Sequence, residues 1–365
     1  MLLYKRIFFI ILSLLPVACI LPGLIGGMSP ASPGVSMAGP VLVQAPADAT
    51  LTPTPFQPLP PTATYLPTAF PTPVPTATKV PKASKFVQKT WADYPGPSIW
   101  PDIQIPPPVG LLSQPAGQVN IMLLGSDQRP HDGGFRTDTI ILLTLNLSKG
   151  TVNLTSFPRD LYVYIPGYTV QRINTAFQWG DFSSLADTME YNFGVRPDHY
   201  VLINFWSFQQ VIDQCDGINV EVAQSLTDHR SGYGNYTVPA GTVHMDGETA
   251  LWYVRSRYST SDFDRGRRQQ EVVRALFKRL MKLDIIARAP KLYDTYRQNV
   301  TTDLKLEDIT PLLPLAVQVS DTSRIHHYFI GPYQVTPWVT TYGAQVLIPI
   351  REAVLEVMRE ALNSP

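Results

Sequence analysis

Proline decides which part of this chain can build a core. The sequence holds 35 prolines, and 21 of them fall between Pro30 and Pro115. Within that stretch, TPTPFQPLPPTATYLPTAFPTPVPTATKVP is almost uncharged and has no hydrophobic period. It cannot bury enough apolar surface to offset its chain entropy. Residues 28–117 are therefore expected to be a disordered Pro/Thr-rich spacer, extended and partly polyproline-like. Its Ser/Thr/Pro composition also suits a glycosylated stalk.

The segment before the spacer sets the compartment. Lys5 and Arg6 precede IFFIILSLLPVACILPGLIGG, residues 7–27, which carry no charge. That length suits one membrane crossing, kinked at Pro16 and Pro22. The two basic residues favour a cytoplasmic N-terminus, residues 1–6. A cleaved signal peptide is the alternative. Lipidation of Cys19 is a third reading, disfavoured by Pro16 three places earlier. All three put the remainder outside the cytoplasm, and the anchor reading makes the protein a single-pass cell-membrane protein. Cys215 has no partner in the folded part and is expected to be a small buried apolar residue.

Residues 118–365 are expected to form one domain. VNIMLLG, TIILLTLNL, TVNLTSFP, HYVLIN and GINVEV read as strands. FSSLADTMEYNFG and FWSFQQVIDQCDG read as helices closed by glycine, and DGETALWYV as a short helix. Strands alternating with helices imply a layered α/β domain. The Lys149-Gly150 turn makes its two strands antiparallel, so the central sheet should be mixed.

Against a formally neutral chain, VRSRYSTSDFDRGRRQQ packs five arginines into seventeen residues, Val254 to Gln270. RRQQEVVRALFKRLMKL is a helix with an apolar stripe of Val272, Val273, Leu276, Phe277 and Leu280. Arg267, Glu271, Arg274 and Lys278 fall on another face and read as solvated charge. Arg265, Arg268 and Gln269 lead onto the core-facing side, where unpaired guanidinium is costly. They also sit at the helix N-terminus, where the dipole favours an anion. Asp262 or Asp264 is a candidate cap. Either the acids and arginines form a buried ion-pair network, or the arginines receive an anion. Arg255 and Arg257 alternate and would point the same way in extended chain. Several forked donors suit a phosphate or diphosphate better than a carboxylate.

A second constellation, GSDQRPHDGGFRTDT, joins the first two strands. Asp127, Arg129, Arg136 and Asp138 thus lie at strand ends, where α/β sheets commonly bind ligands. Acids mixed with arginines suit a Mg²⁺–phosphate site, with a self-paired polar loop as the alternative. SFPRDLYVYIPG adds Arg159 and Asp160, a pair that would also suit a surface turn. QRINTAF adds Arg172 and Asn174, the latter also a candidate N-cap. No GxSxG, HExxH, CxxC or Walker loop is present. A neutral chain without a basic stripe argues against nucleic acid.

Taken in order, these pieces resemble the LytR-CpsA-Psr family of extracytoplasmic enzymes that attach glycopolymers to bacterial cell walls. The matching residues are Asp127/Arg129, Arg136/Asp138, Arg159/Asp160, Ile173/Asn174, Arg255/Arg257 and Asp262/Arg265/Arg268/Gln269, within residues 119–282. Two departures stand out: Asp264 replaces a frequent glycine, and the spacer is longer than usual. The resemblance implies a phosphotransferase that moves a glycopolymer phosphate from a polyprenyl-diphosphate carrier to a peptidoglycan sugar hydroxyl. Mg²⁺ or Mn²⁺ would lie on Asp127 and Asp138. Catalysis would fall to Asp127, Arg136, Arg159, Asp160, Arg255 and Arg257. The diphosphate would meet Arg129, Arg136, Arg159, Arg255, Arg257, Arg265, Arg268, Gln269 and Asn174. Asp127 and Asp160 are both candidates for the base. YNFGVRPDHY and LINFWSFQQV are candidates to line a lipid channel, with ordinary core packing the blander reading. The alternatives are a hydrolase of lipid-linked diphosphates and a non-catalytic isoprenoid-phosphate-binding envelope protein.

Overall fold

The computed structural model describes residues 89–128, 135–282 and 300–364. The apolar segment 7–27 and the spacer as far as residue 88 lie outside the described residues. No helix among the described residues is long and apolar enough to cross a membrane.

Six strands form the central sheet. In chain order the structure has β1 (Val119–Ser126), β2 (Thr137–Asn146), β3 (Thr151–Ser156), β4 (Tyr162–Tyr164), β5 (Val170–Arg172) and β6 (His199–Asn204). Then come β7 (Ile218–Val222), β8 (Leu226–Arg230), β9 (Gly234–Val238), β10 (Gly241–Met245), β11 (Val300–Thr302), β12 (Ile325–Phe329), β13 (Val335–Val339) and β14 (Gln345–Pro349). The central sheet runs β11-β6-β1-β2-β3-β12, and the others pair as hairpins or ribbons. β1 pairs antiparallel with β2 and parallel with β6. β2–β3 is antiparallel and β3–β12 parallel, so the sheet is mixed, as expected. Gly150, at φ +69°, makes the β2–β3 turn and donates its N–H to Asn146 O at 2.9 Å.

The helices are α1 (Ala176–Phe193), α2 (Phe205–Gln214), α3 (Gly247–Arg255), α4 (Asp262–Lys282), α5 (Leu306–Ile309), α6 (Leu313–Gln318) and α7 (Arg351–Asn363). α1 starts six residues before the expected Phe182. Gly180 and Asp181 are non-helical and kink it, so the regular run does begin there. Left-handed Gly194 closes it. The cap of α4 is Ser261. Its hydroxyl accepts from Asp264 N at 3.1 Å, and Asp264 Oδ2 accepts from Ser261 N at 3.2 Å. Asp264 thus completes a reciprocal capping box three residues after the cap.

Strand alternation gives the sheet two apolar faces. Met122, Leu124, Ile140 and Leu142 pack on Leu185 and Met189 of α1 and on Val354 and Met358 of α7. Ile121, Ile141, Leu145 and Leu154 turn to the other face, toward α4, Leu315 and Val319. Cys215 is buried, as expected, and forms no disulfide among the described residues.

The end of the expected spacer requires a correction. Residues 89–117 are a strap bound to the domain. Tyr164 and Tyr191 donate their hydroxyls to Pro95 O at 2.8 Å and Pro106 O at 2.6 Å. Trp91 stacks on Tyr164, and Tyr94 meets Tyr191 edge-on. Proline's carbonyl remains a good acceptor although its nitrogen cannot donate. A segment too proline-rich to fold alone can therefore still be held by side chains from a formed domain.

Candidate functional site

The α4 face of the sheet is not fully closed. Between it and α2, α3, α4 and α6 lies a cavity of about 540 Å³. Leu123, Ile141 and Leu143 form its sheet wall. The expected stripe of α4, Val272, Val273, Leu276, Phe277 and Leu280, lies opposite. The stripe therefore lines a hollow as well as a core. Phe205, Phe208 and Val211, from LINFWSFQQV, also line it. Tyr191 and Phe193, from YNFGVRPDHY, belong to packed clusters instead.

Charge gathers among the lining residues from the strand ends and the helix α4 N-terminus. Asp127, Arg136, Asp138, Arg159, Arg255, Arg257, Arg265 and Gln269 all line the cavity. A register shift at Gly125/Ser126 ends β1 here. A Cβ on Gly125 would stand 2.9 Å from Thr139 Cβ, so glycine permits this close pairing. Asp127 then folds back on the β2 approach. Its Oδ1 accepts Arg136 N at 2.7 Å and its Oδ2 accepts the Arg136 guanidinium at 3.1 Å. Asp138 Oδ2 accepts Arg159 Nη1 at 2.8 Å and its Oδ1 accepts Asn174 Nδ2 at 3.1 Å. Asn174 is thus a support for Asp138, held behind the wall rather than on it.

Arg159 also approaches Asp160 at 3.5 Å and Asp262 at 3.8 Å. Burial opposes its charge, but Asp138, Asp160 and Asp262 together raise its pKa above the ordinary arginine value. Arg265 meets Asp262 at 2.8 Å. Burial lowers the pKa of Arg265, partly offset by Asp262, and raises that of Asp262 despite the two arginines. A part-buried ion-pair network and exposed arginines therefore coexist. Arg136, Arg255 and Arg257 remain exposed at the mouth. Arg255 lies over the Phe205 ring at 4.1 Å, a cation–π contact that orients it.

Besides Asn174, two sequence candidates lie off the wall. Arg268 is 1 % exposed and donates to Ser256 O at 2.5 Å, Tyr253 O at 2.9 Å and Thr260 Oγ1 at 3.0 Å. It is spent on protein oxygens and is absent from the cavity wall. Asp160 lies between Arg159 and Arg172, the latter at 3.1 Å, and is also off the wall. Arg129 lies outside the described residues. The charged face of α4 is less solvated than expected. Glu271 pairs with Arg267 and accepts the Tyr253 hydroxyl at 2.6 Å, and Arg274 lines the cavity. Gln270 was not singled out in the sequence. It ties α4 to the sheet through Leu154 O at 3.2 Å, Ser156 Oγ at 2.7 Å and Tyr328 O at 3.0 Å. Two adjacent glutamines leading into an apolar stripe were the available signal.

The model of the LytR_cpsA_psr family matches residues 96–330. This chain belongs to that family. Within it, the chain is 35 % identical over 203 residues to the polyisoprenyl-teichoic acid–peptidoglycan teichoic acid transferase TagU of Oceanobacillus iheyensis. That match covers 53 % of this chain and 62 % of the relative. TagT of Bacillus subtilis, named likewise, is 32 % identical over 213 residues, covering 56 % and 66 %. The chain thus spans slightly under two thirds of these curated relatives. Among solved structures, B. subtilis TagV superposes with a TM-score of 0.56 at 27 % identity, covering 68 % of this chain and 98 % of TagV. TagT bound to LIIa-WTA gives 0.54 at 26 % identity, covering 67 % and 89 %.

Proposed function

We propose that this protein is a phosphotransferase that moves a glycopolymer phosphate from a polyprenyl-diphosphate carrier to a sugar hydroxyl of peptidoglycan. It would work outside the cytoplasm, tethered by residues 7–27. One observation carries the reading: a single cavity joins a mouth of arginines and acids to an apolar interior. That pairing matches an amphiphile with an anionic head and a hydrocarbon tail. The names of the family's teichoic acid transferases support the same chemistry.

Arg136, Arg255, Arg257 and Arg265 would receive the diphosphate oxygens, with Gln269 beside them. Forked donors aimed at the transferring phosphorus neutralise charge that grows in the transition state. The acceptor hydroxyl attacks the sugar-side phosphorus, the bond to the bridging oxygen breaks, and polyprenyl phosphate leaves. Of the two candidate bases, Asp127 lines the cavity while Asp160 lies behind Arg159. Only Asp127 therefore borders the cavity, and it would serve as base only where it does not hold the cation.

A divalent cation fits the donor set. Mg²⁺ is commonly held by one or two carboxylates together with substrate phosphates. Asp127 and Asp138 both border the cavity, and each carboxylate oxygen has lone pairs beyond its present bond. These two residues would hold Mg²⁺ or Mn²⁺, which would offset the diphosphate's negative charge.

The test mixes the full chain, in detergent, with a synthetic polyprenyl-diphosphate glycan, peptidoglycan fragments and Mg²⁺. Mass spectrometry should find a phosphodiester-linked glycan on the acceptor, and chelator should remove it. Free glycan phosphate alone would make the protein a hydrolase. Tight lipid binding without turnover would make it a receptor.

A further inference from the structure

The loop that starts between the two exposed arginines, Arg255 at the end of α3 and Arg257 two residues on, is gripped from both sides by buried charge. α3 ends at Arg255 and α4 begins at Asp262, so Ser256 to Ser261 belong to neither helix. Ser256 is buried, whereas Arg255, Arg257 and Tyr258 are exposed. On one side stands Arg268, with its bonds to Tyr253 O, Ser256 O and Thr260 Oγ1. On the other stands Asp228 of β8, only 6 % exposed. Asp228 Oδ2 accepts the Ser256 hydroxyl and Tyr258 N, the latter at 2.9 Å. Its Oδ1 accepts His229 N at 2.7 Å.

Among the described residues β8 pairs only with β9, so this carboxylate reaches the loop from a hairpin outside the central sheet. Arg230 projects from the same buried face of β8. It pairs with Glu248 at 3.1 Å and donates to Thr249 Oγ1 at 3.3 Å, both on α3. Tyr233 and Tyr236 flank its guanidinium at 4.3 and 4.6 Å. One short hairpin thus holds the start of α3 and the loop that follows its end.

We propose that Asp228 is a positioning residue for Arg255 and Arg257, and that the β8–β9 hairpin sets where these arginines stand. The inference rests on the reading that the two arginines receive a diphosphate. Ser256 is the pivot: its carbonyl goes to Arg268 and its hydroxyl to Asp228. With Ser256 pinned, the flanking side chains are left to face the mouth. Asparagine at 228 keeps the shape but replaces one acceptor oxygen with a donor. In either amide orientation, a donor group of the loop or of His229 then loses its acceptor.

Geranyl diphosphate, a short soluble probe, tests this by calorimetry on the full chain. Asp228→Asn should weaken binding about tenfold, a loss expected where a buried charged acceptor disappears. Arg257→Ala should weaken it comparably, and the double variant should lose less than the two losses combined, because they share the Arg257 contact while Asp228 also sets Arg255. Unchanged affinity in folded Asp228→Asn, or fully additive losses, overturns the proposal. Should Asp228→Asn fail to fold, Ser256→Ala removes only the hydroxyl and should still weaken the probe roughly threefold; wild-type affinity there also overturns it. A wild-type chain that ignores geranyl diphosphate, or an Arg257→Ala chain that binds it normally, removes the diphosphate reading itself.

Discussion

Two kinds of arginine stand side by side in one motif, and substitution should separate them. Arg255 and Arg257 are exposed at the cavity mouth, so alanine there should cost transfer on the order of 100-fold, as for lost electrostatic donors to a transition state. Thermal unfolding of both variants should match wild type. Arg268 is buried and satisfies two carbonyls and a hydroxyl. Arg268→Ala should lower stability by about 2–4 kcal/mol, the range for stranding buried polar groups, and activity should fall with it. Acid tells a related story. Asp228 would be raised by burial, yet hydrogen bonds from Ser256 and nearby backbone N–H groups hold it below its ordinary value. The bond from Ser261 holds Asp264 low as well. Unfolded, both return to a pKa of about 3.9. Their contribution is therefore full above that value and lost as pH falls through their lower folded values. Melting temperature against pH should drop below about pH 4, and the drop should be shallower in Asp228→Asn.

At the scale of elements, α4 does two jobs along one helix. Its first turns bring Arg265 and Gln269 to the polar mouth, and its later turns bring Leu276 and Phe277 to the apolar interior. The helical period, which puts residues three and four apart on one face, makes that continuity possible. Leu276→Trp should fill part of the hollow. Turnover of a long-chain polyprenyl donor should fall about tenfold or more, roughly the worth of one to two kcal/mol of lost tail burial. A geranyl-length donor should keep most of its rate. Equal losses on both donors would mean that the cavity does not hold the tail. The stripe itself was readable from the spacing of Val272, Val273, Leu276, Phe277 and Leu280. A stripe facing a cavity and a stripe facing a filled core have the same spacing, so the hollow was not readable.

The whole molecule is held by a strap as well as by its sheet. Val109 N and Leu112 N bond Tyr191 O and Gly194 O at 2.9 and 2.8 Å, and Arg351 of α7 donates to Pro107 O at 2.8 Å. Proline content suggested a free spacer as far as residue 117. The strap is not legible in the sequence because its acceptors and aromatic rings are satisfied by residues 60 to 250 positions away. A chain starting at Gln118 should melt roughly 10 °C lower, the shift expected for about 3 kcal/mol in a domain of this size. Scanning calorimetry of the two chain lengths decides this; equal melting points would return residues 89–117 to the spacer.

Local pattern alone was enough for several things. Strand alternation and the Lys149-Gly150 turn specified the mixed sheet, because side-chain period and turn chemistry are properties of neighbouring residues. The order of charged motifs specified the family and the residue types of the site. Tertiary structure alone decided which charges face the cavity. Arg257 and Arg268 differ by eleven positions and share a chemistry, yet one faces the mouth and the other is consumed by a buried loop. That outcome depends on Asp228 and Ser256, which approach across the fold. A charge's role is set by the partners that surround it, and those partners are distant in sequence.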